Sequence, residues 1–485
     1  MTMPITTNTT IATCIQIHVG DIAESVPRRR RGAFRAARDY LVGMATHLRK
    51  PAGRLALAGL ALALLAGSPA RAGVSRDAHG SSGSLLGGVN IGSARANAPA
   101  GEADRQIALA HELHAKVVRV EIPWSVMEPR GAGEVDPRAL VYTDRVAEAA
   151  AANGMRVIMM VQNTPCWASS APRSLRRACV PGKASKANSW PPADAGKFAA
   201  FVAYLAQRYG TRLAAIEIWN EPDQSNEAYF AGPNKAARYA AMLRAAYPAI
   251  KRADPTVSVL GGSLVGSNGA FLRALYAAGI KGFYDGLAVH YYNLTLASLR
   301  SIHETQTANG DSTPLWLDEF GWTSCWPHRK LQQEQGCVTA RTQALDISNS
   351  FHAMSRLPYV AAAVLYKLWD SRNEEFGVVS AAGSHKPAWT AFSRVLTSPF
   401  GTLSGVTVSL RSRGGRVLAS GSGPVGDFMQ LEAFQGSVLR YRALFTLDRF
   451  NRYSVALPAV LGTHGLRVRV FRYGAGPSRA ARKSI

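Results

Sequence analysis

The sequence predicts an α/β fold, a (β/α)8 TIM barrel followed by a C-terminal antiparallel β-sandwich domain. Eight short β-branched or apolar runs alternate with Ala-rich helical segments, which indicates parallel strands joined by right-handed crossovers. Eight such units over about 310 residues suit a barrel with insertions. An open doubly wound sheet is the alternative, but the first strand-to-helix turn, residues 87–92, lacks the GxGxxG spacing of a dinucleotide site.

The barrel elements follow from hydrophobic period and stop signals. Strands are predicted at residues 85–91, 117–122, 156–162, 215–219, 257–261, 286–291, 315–320 and 362–368. Helices are predicted at residues 103–114, 140–153, 193–208, 235–252, 270–278 and 338–355. Glycine stop signals, Gly154 and Gly210, lie at the ends of two of these helices. The barrel is thereby assigned to residues 73–397.

The pattern of apolar and polar residues changes after Pro399. Four runs, residues 428–434, 437–445, 452–457 and 466–473, alternate apolar with polar side chains between Gly or Asp/Asn breaks. This alternation is typical of antiparallel strands with one buried face. Residues 398–485 are therefore predicted to be a small β-sandwich domain that ends in a basic tail.

Residues 1–72 are predicted to be an N-terminal presequence with a signal peptide. Basic residues precede an apolar run of 13 residues, 55–67, and Ala70-Arg71-Ala72 follows it. A helix of that length rises about 20 Å, too little for roughly 30 Å of hydrocarbon. We therefore expect cleavage after Ala72 and export to the periplasm or the extracellular space. An uncleaved anchor that faces the periplasm, with transient membrane association, is the alternative.

Four cysteines remain after the presequence, and export predicts that they form disulfides. Cys166 and Cys179 are 13 residues apart, and Cys325 and Cys337 are 12 apart. Two short-range bridges are the simplest of the three possible pairings. A zinc site is the rival reading, but the CxxC spacing is absent.

Composition excludes some classes of function. An apolar fraction of 47% is too high for a disordered chain. The formal charge is +24, of which +7 lies in residues 1–72 and +17 in the remainder. Such a charge suits acidic polymers, anionic lipid or nucleic acid. Since no basic stripe with interleaved aromatics occurs, nucleic acid is not expected as a partner, and no metal or cofactor is predicted.

Two carboxylates stand where an apolar strand meets a turn. Glu221 follows the fourth predicted strand, and Glu319 lies at the end of the seventh. Barrel enzymes carry their working groups at the carboxyl ends of strands. A carboxylate pair across a barrel mouth can flank a scissile bond, one as general acid/base and the other as nucleophile. The alternative is two rim carboxylates in salt bridges.

The contexts of these residues resemble a known clan. Trp219-Asn220-Glu221-Pro222 and Leu317-Asp318-Glu319-Phe320-Gly321 resemble the strand-four and strand-seven signatures of clan A, the retaining β-glycosidases with a (β/α)8 barrel. The resemblance covers most of residues 85–395. It implies that Glu221 is the acid/base, neutral when it protonates the leaving oxygen, and that Glu319 is an ionised nucleophile.

The resemblance also implies substrate-binding residues. Asn220 would donate to the sugar 2-hydroxyl, and Arg119 would hydrogen-bond the nucleophile. His290 and Tyr292 match the clan's His-x-Tyr, and Trp369 matches its aromatic platform under a sugar ring. The alternatives are a structural ion pair for Arg119, a hydrogen-bonded core histidine for His290 and core packing for Trp369.

The closest resemblance is to glycoside hydrolase family 39, with the family 5 cellulases as the runner-up. It implies a hydrolase that cuts β-glycosidic bonds of a polysaccharide or oligosaccharide. Together with the predicted signal peptide, we expect a secreted enzyme, and we expect it to be a monomer. Long loops after strands three and seven favour endo action, and export with a basic surface favours a bacterial exopolysaccharide. An exo-acting β-xylosidase type and a non-catalytic carbohydrate-binding barrel are the alternatives.

Overall fold

A computed structural model describes residues 85–266, 269–292, 297–325, 337–397, 405–423, 429–445, 447, 452–472 and 480–485. The predicted presequence lies outside the described residues. Within those ranges no helix combines the length and the apolar character that a membrane crossing requires.

Eight parallel strands close into a barrel, since β1 pairs with β8 as well as with β2. The strands are β1 Leu86–Ser93, β2 Val117–Pro123, β3 Arg156–Gln162, β4 Leu213–Ile218, β5 Ser258–Leu264, β6 Gly286–Tyr291, β7 Leu315–Phe320 and β8 Val360–Leu365. The sequence-based prediction of the fold is confirmed. Parallel pairing requires crossovers, and helices provide them.

The described helices follow the chain between and after these strands. They are α1 Glu102–Glu112, α2 Trp124–Met127, α3 Pro137–Ala152, α4 Arg173–Arg177, α5 Ala195–Tyr209, α6 Lys235–Ala253, α7 Ala270–Ala277, α8 Ala297–Ala308, α9 Ala340–Met354 and α10 Pro387–Thr397. Capping chemistry sets two of the starts: Asp136 accepts from the Arg138 backbone N–H, and Asp194 accepts from that of Gly196.

Side chains fill the barrel interior in layers, and this layering builds the floor of the candidate site. The lower layer is apolar and includes Val117, Ile158, Leu260 and Trp316. Because side chains alternate along a strand, the residues two positions further on also point inward. After Val117, Ala215 and Trp316 of this layer these residues are Arg119, Glu217 and Asp318, so the apolar plug supports a charged cluster towards the carboxyl ends of β2, β4 and β7.

The C-terminal region forms two antiparallel sheets that share one hydrophobic core. The strands are β9 Ser409–Arg413, β10 Arg416–Ser422, β11 Met429–Gln435, β12 Val438–Phe445, β13 Arg452–Ala456, β14 Leu466–Arg472 and β15 Ala481–Ser484. Their order is β13-β10-β9 in one sheet and β12-β11-β14-β15 in the other. Val417 and Val455 from the first sheet pack with Leu431 and Val468 from the second, which is the architecture of a sandwich.

The hairpin of β9 and β10 is absent from the sequence-based prediction. Its strands are rich in Arg, Ser and Gly, so they lack a strong apolar alternation. The turn depends on Gly414 and Gly415, whose φ angles are +57° and +70°. Positive φ at both central residues is the geometry of the tight hairpin turn, and glycine adopts it without a steric cost.

Both predicted disulfides are present. Cys166 bonds to Cys179 with their Cα atoms 5.7 Å apart, and Cys325 bonds to Cys337 at 5.2 Å. The first bridge crosses the loop between β3 and α5. The second joins the end of the β7 loop to the segment before α9, and residues 326–336 between its cysteines lie outside the described part.

Candidate active site

The two carboxylates identified in the sequence meet at the carboxyl end of the barrel. An oxygen of Glu221 lies within 4.8 Å of an oxygen of Glu319. After β4 the backbone passes through left-handed conformations at Trp219 (φ +68°) and Glu221 (φ +46°). The buried Trp219 ring packs against Phe230, which anchors this turn. Such unusual φ values are typical of functional sites where the fold imposes a side-chain direction.

Glu319 receives one hydrogen bond on each carboxylate oxygen. Arg119 Nη1 donates to Oε1 at 2.7 Å, and the Tyr292 hydroxyl donates to Oε2 at 2.7 Å. Both Arg119 and Glu319 are buried. The structure therefore places Arg119 on Glu319, the contact that the resemblance implied, and it places Tyr292 there as well.

Glu221 interacts with a buried histidine. His290 Nδ1 lies 2.8 Å from Oε1, and Gln224 Nε2 donates to Oε2 at 2.9 Å. Burial alone would raise the pKa of Glu221, but the hydrogen bond and positive charge of His290 outweigh it and lower the pKa. Without a ligand, this environment favours the ionised form of Glu221. The sequence analysis expected a neutral acid, and it had no information on the His290 contact.

His290 is part of a chain of hydrogen bonds rather than a histidine in an apolar core. Its Nε2 lies 3.0 Å from Ser263 Oγ, which donates to Asp318 Oδ2 at 3.0 Å. Burial would lower the pKa of His290, but the charges of Glu319 and Asp318 raise it well above its ordinary value. As an imidazolium, His290 donates through both ring nitrogens.

Arg119 connects the nucleophile candidate to a fully buried carboxylate. Its Nε and Nη2 donate to the two oxygens of Glu217 at 2.8 and 2.7 Å, and Nη2 lies 3.4 Å from Asp318 Oδ2. Arg119 therefore makes the structural pair that was its alternative role and also the contact with Glu319. Burial raises the pKa of Glu217 to about 8, while the charges of His290 and Arg119 lower that of Asp318 against the effect of burial.

Asn220 is oriented by the same guanidinium. Arg119 Nη2 donates to Asn220 Oδ1 at 3.1 Å, so the amide nitrogen is the end left to donate to a ligand. Asn220 is buried beside Glu221. This is the orientation that donation to a sugar hydroxyl requires.

Sequence comparison identifies the family. The model of the cellulase family, glycosyl hydrolase family 5, matches residues 82–347, which is more than half of the chain. The chain belongs to glycosyl hydrolase family 5. The clan A resemblance is thereby confirmed, and the matching family is the one that the sequence analysis placed second. None of the curated proteins is detectably similar in sequence.

Solved structures that resemble this family 5 enzyme come from more than one family. One is a family 39 glycoside hydrolase from the gut symbiont Bacteroides cellulosilyticus WH2, with 17% identity, 78% of this chain and 80% of that chain covered, and a TM-score of 0.49. Another is GH5_18 from Streptomyces cattleya in complex with GlcNAc, with 17% identity, 65% and 80% covered, and a TM-score of 0.49. A monomeric beta-xylosidase from Caulobacter crescentus CB15 has 14% identity, 79% and 95% covered, and a TM-score of 0.47.

Membership of family 5 makes this protein a retaining O-glycosyl hydrolase. A retaining mechanism needs two carboxyl groups about 5–5.5 Å apart, whereas inverting enzymes separate theirs by about 6.5–9.5 Å. The proximity of Glu221 and Glu319 agrees with the retaining geometry. A non-catalytic barrel is thus not supported.

Trp369 was also predicted to be a site residue. The described contacts do not connect its side chain with Glu221 or Glu319. It lies in the segment after β8, half-buried, and its backbone bridges to Val379. Tyr366, directly after β8, has its ring centroid 6.1 Å from that of Tyr292, whose hydroxyl donates to Glu319. The role of Trp369 as a sugar platform stays a prediction.

Glu121 and Glu374 are two further carboxylates whose charges act at the site, and the sequence-based prediction named neither. Glu121 lies two residues beyond Arg119 and shares its inward face, and Gln162 Nε2 donates to Glu121 Oε1 at 2.6 Å. Burial, together with the charges of Glu221, Glu319, Glu374 and Glu121, raises the pKa of Tyr229 to about 12, so four carboxylates act on this side chain. The period-two spacing from Arg119 is the signal that could have identified Glu121.

Proposed function

We propose that this enzyme cleaves an internal β-glycosidic bond of an exported polysaccharide by double displacement, with Glu319 as nucleophile and Glu221 as acid/base. The observation that carries the proposal is the oxygen separation of at most 4.8 Å between two buried carboxylates at the barrel mouth. That gap leaves no room for a water molecule on the far side of the sugar, so attack falls to the second carboxylate.

The proposed reaction has two steps. Glu319 attacks the anomeric carbon while Glu221 donates its proton to the leaving glycosidic oxygen, and a covalent glycosyl-enzyme forms. Glu221, now a carboxylate, then removes a proton from water, whose oxygen attacks the anomeric carbon and releases Glu319. Asn220, oriented by Arg119, donates to the 2-hydroxyl of the sugar.

The negative charge of the cleft favours a substrate with a neutral sugar at the bond that is cleaved. The charges of Glu121, Glu374 and the catalytic pair all act on Tyr229, and Lys367 pairs with Glu374 alone of these four. A uronate beside Glu121 and the catalytic pair would meet like charge. Carboxylate oxygens accept hydrogen bonds from sugar hydroxyls, and Glu121 is already fixed by Gln162 at one oxygen. Neutral glycosyl residues therefore fit this subsite best.

Disulfide-braced loops support action within a polymer. The loop between β3 and α5 is closed by the Cys166–Cys179 bridge, and its Ser169 hydroxyl and Asn188 amide bond to backbone carbonyls inside the loop. A loop held in this way can form one wall of an extended groove at little entropic cost on binding. Two disulfides also support an oxidising compartment outside the cytoplasm.

A substrate screen tests the proposed function. The protein would be incubated with cellulose, mixed β-glucan, xylan, mannan and a bacterial exopolysaccharide, and early products would be sized and their new reducing ends identified. We expect oligosaccharides in the β-configuration with a neutral sugar at the reducing end. A monosaccharide as the sole early product would instead identify an exo-acting β-xylosidase type.

The His290–Glu221 contact predicts a shift in the pH profile of the reaction. The rate falls as Glu221 loses its proton, so a lowered pKa places the alkaline limb of kcat/KM at lower pH. In His290→Asn the positive charge is lost and burial dominates, which raises the pKa of Glu221. We therefore expect the alkaline limb to move to higher pH.

The control for this measurement is His385→Asn, because His385 is exposed and stacks on Trp389 away from the carboxylates. Its profile should match that of the unmodified enzyme. The groups around Glu221 that also carry charge are Asp318 and Glu319. An alkaline limb of His290→Asn that stays in place, or moves to lower pH, would contradict the prediction.

A further inference from the structure

The positive charge of the chain is concentrated in the β-sandwich region. Residues 398–485 contain 12 Arg, one Lys and three acidic residues, a formal charge of +10. Residues 73–397 contain 33 basic and 26 acidic residues, a charge of +7 over a segment more than three times as long. The sandwich region is therefore the strongly basic part of the chain beyond the presequence.

One sheet face carries much of this charge. The inward residues of β10 and β13, such as Val417 and Val455, belong to the sandwich core, so the alternate residues face outward. We call this outer surface of the three-stranded sheet the arginine face. Its members are Ser409, Arg411, Arg413, Arg416, Leu418, Ser420, Arg452, Ser454 and Ala456, with no carboxylate among them.

Two arginines on the arginine face oppose each other directly. Arg413 pairs with Arg416 across the glycine hairpin. Like charges at opposite positions on a sheet destabilise the pairing. Within the part of the chain that the structure describes, no carboxylate lies within ion-pair distance of Arg411, Arg413 or Arg416.

The other sheet of the sandwich provides a contrast. On its outer face Arg442 and Arg469 both bond to the same carboxylate, Glu432, at 3.0 and 2.5 Å. Arg442 and Arg469 therefore have an internal partner, whereas Arg411, Arg413 and Arg416 are exposed and have no ion-pair partner among the residues that the structure describes. An anion that binds the arginine face would relieve repulsion between Arg413 and Arg416, so binding there gains more than on the neutralised face.

We propose that the arginine face binds the carboxylate groups of an acidic polysaccharide and thereby holds the polymer that the barrel cuts. A guanidinium matches a carboxylate with two parallel hydrogen bonds, and the serines between the arginines supply hydroxyls for neutral sugars. The proposal rests on the proposed function in one respect, that the bound polymer is also the cleaved one. The acidic sugars of the polymer then bind the arginine face of the sandwich, and the barrel cleaves the polymer at its neutral sugars.

The composition of the arginine face favours polysaccharide over other polyanions. Single-stranded nucleic acid is bound by proteins that add aromatic side chains for base stacking, and this face has none. Insertion into a membrane surface needs a broad apolar face, and Leu418 is its one large exposed apolar side chain. A glycosidase barrel on the same chain points to a glycan.

Binding of the full chain to polygalacturonate tests the proposal. The variant is Arg411→Ser/Arg413→Ser/Arg416→Ser, and the matched control, Arg105→Ser/Arg252→Ser/Arg394→Ser, removes the same charge from exposed positions on barrel helices. We expect the sandwich variant to bind about 10-fold more weakly at physiological salt, with the slope of log K against log salt reduced by about 2. The control should bind within about twofold of the unmodified chain.

Three further measurements separate the possible failures. Equal weakening in both triple variants would overturn the proposal, because it would show that only net charge matters. Tighter binding to a DNA oligonucleotide or to phosphatidylglycerol vesicles than to polygalacturonate would overturn it in favour of that partner. Hydrolysis of the neutral polysaccharide that the substrate screen identifies, assayed in parallel, should be unchanged in the sandwich variant. If the unmodified enzyme hydrolysed none of the neutral polysaccharides in the screen, the proposed function would be refuted and the binding result would stand.

Discussion

Replacing Glu319 by Gln should lower kcat by at least about 10⁴-fold, and Glu221→Gln should lower it by about 10²–10⁴-fold. The first variant removes the atom that attacks the anomeric carbon, and the second removes the proton donor to the leaving oxygen. Turnover of a β-glycoside with a poor leaving group measures both effects. Circular dichroism and thermal unfolding would show that the fold is retained.

The control for this pair is Glu227→Gln, an exposed carboxylate in the same loop as Glu221. Its rate should match that of the unmodified enzyme. Azide distinguishes the two roles: Glu221→Ala should recover turnover and give a β-glycosyl azide, whereas Glu319→Ala should give an α-azide or nothing. A near-normal rate for either Gln variant would remove that residue from its proposed role.

The second large effect concerns stability. Arg119→Ala should lower the free energy of unfolding by about 3–5 kcal/mol, because it leaves Glu217 buried without its bidentate partner and removes one of the two cations beside Asp318. Activity should also fall, since Glu319 and Asn220 lose a shared donor. Urea unfolding at fixed salt and pH measures the loss of stability.

An exposed ion pair provides the comparison for Arg119. Arg145 bonds to Asp104 at the surface, with both side chains about half exposed. Arg145→Ala should therefore change the free energy of unfolding by at most about 1 kcal/mol. If Arg119→Ala destabilised the protein no more than this control, the buried network would not contribute to stability as argued.

Local sequence signals were enough to predict the barrel. The strand runs are short and apolar because both faces of a parallel sheet are buried, so their pattern is readable without a partner. The β9–β10 hairpin shows the opposite case. Its stability comes from a glycine turn and from one buried residue in two, among arginines and serines, so its period is too weak to detect.

The candidate site divides in the same way. Glu221 and Glu319 could be identified because each follows an apolar strand within a recognisable motif. Asp318 stands in one of these motifs and Glu217 lies two residues before the other, but nothing in their local pattern distinguishes a charge buried inside a barrel from one at its rim. Their burial follows from strands that meet only after the sheet closes.

By itself, then, the sequence determined the fold class, both disulfide pairs and the carboxylate pair. The fold class follows from the hydrophobic period, the disulfides from the cysteine spacing, and the carboxylates from their positions at strand ends. Tertiary structure decided the protonation environment of that pair. Arg119, Glu217 and His290 come from strands far apart in the chain, and burial makes their mutual charges strong. Whether Glu221 keeps its proton depends on the charges buried around it. The distances between these charges cannot be read from the order of residues in the chain.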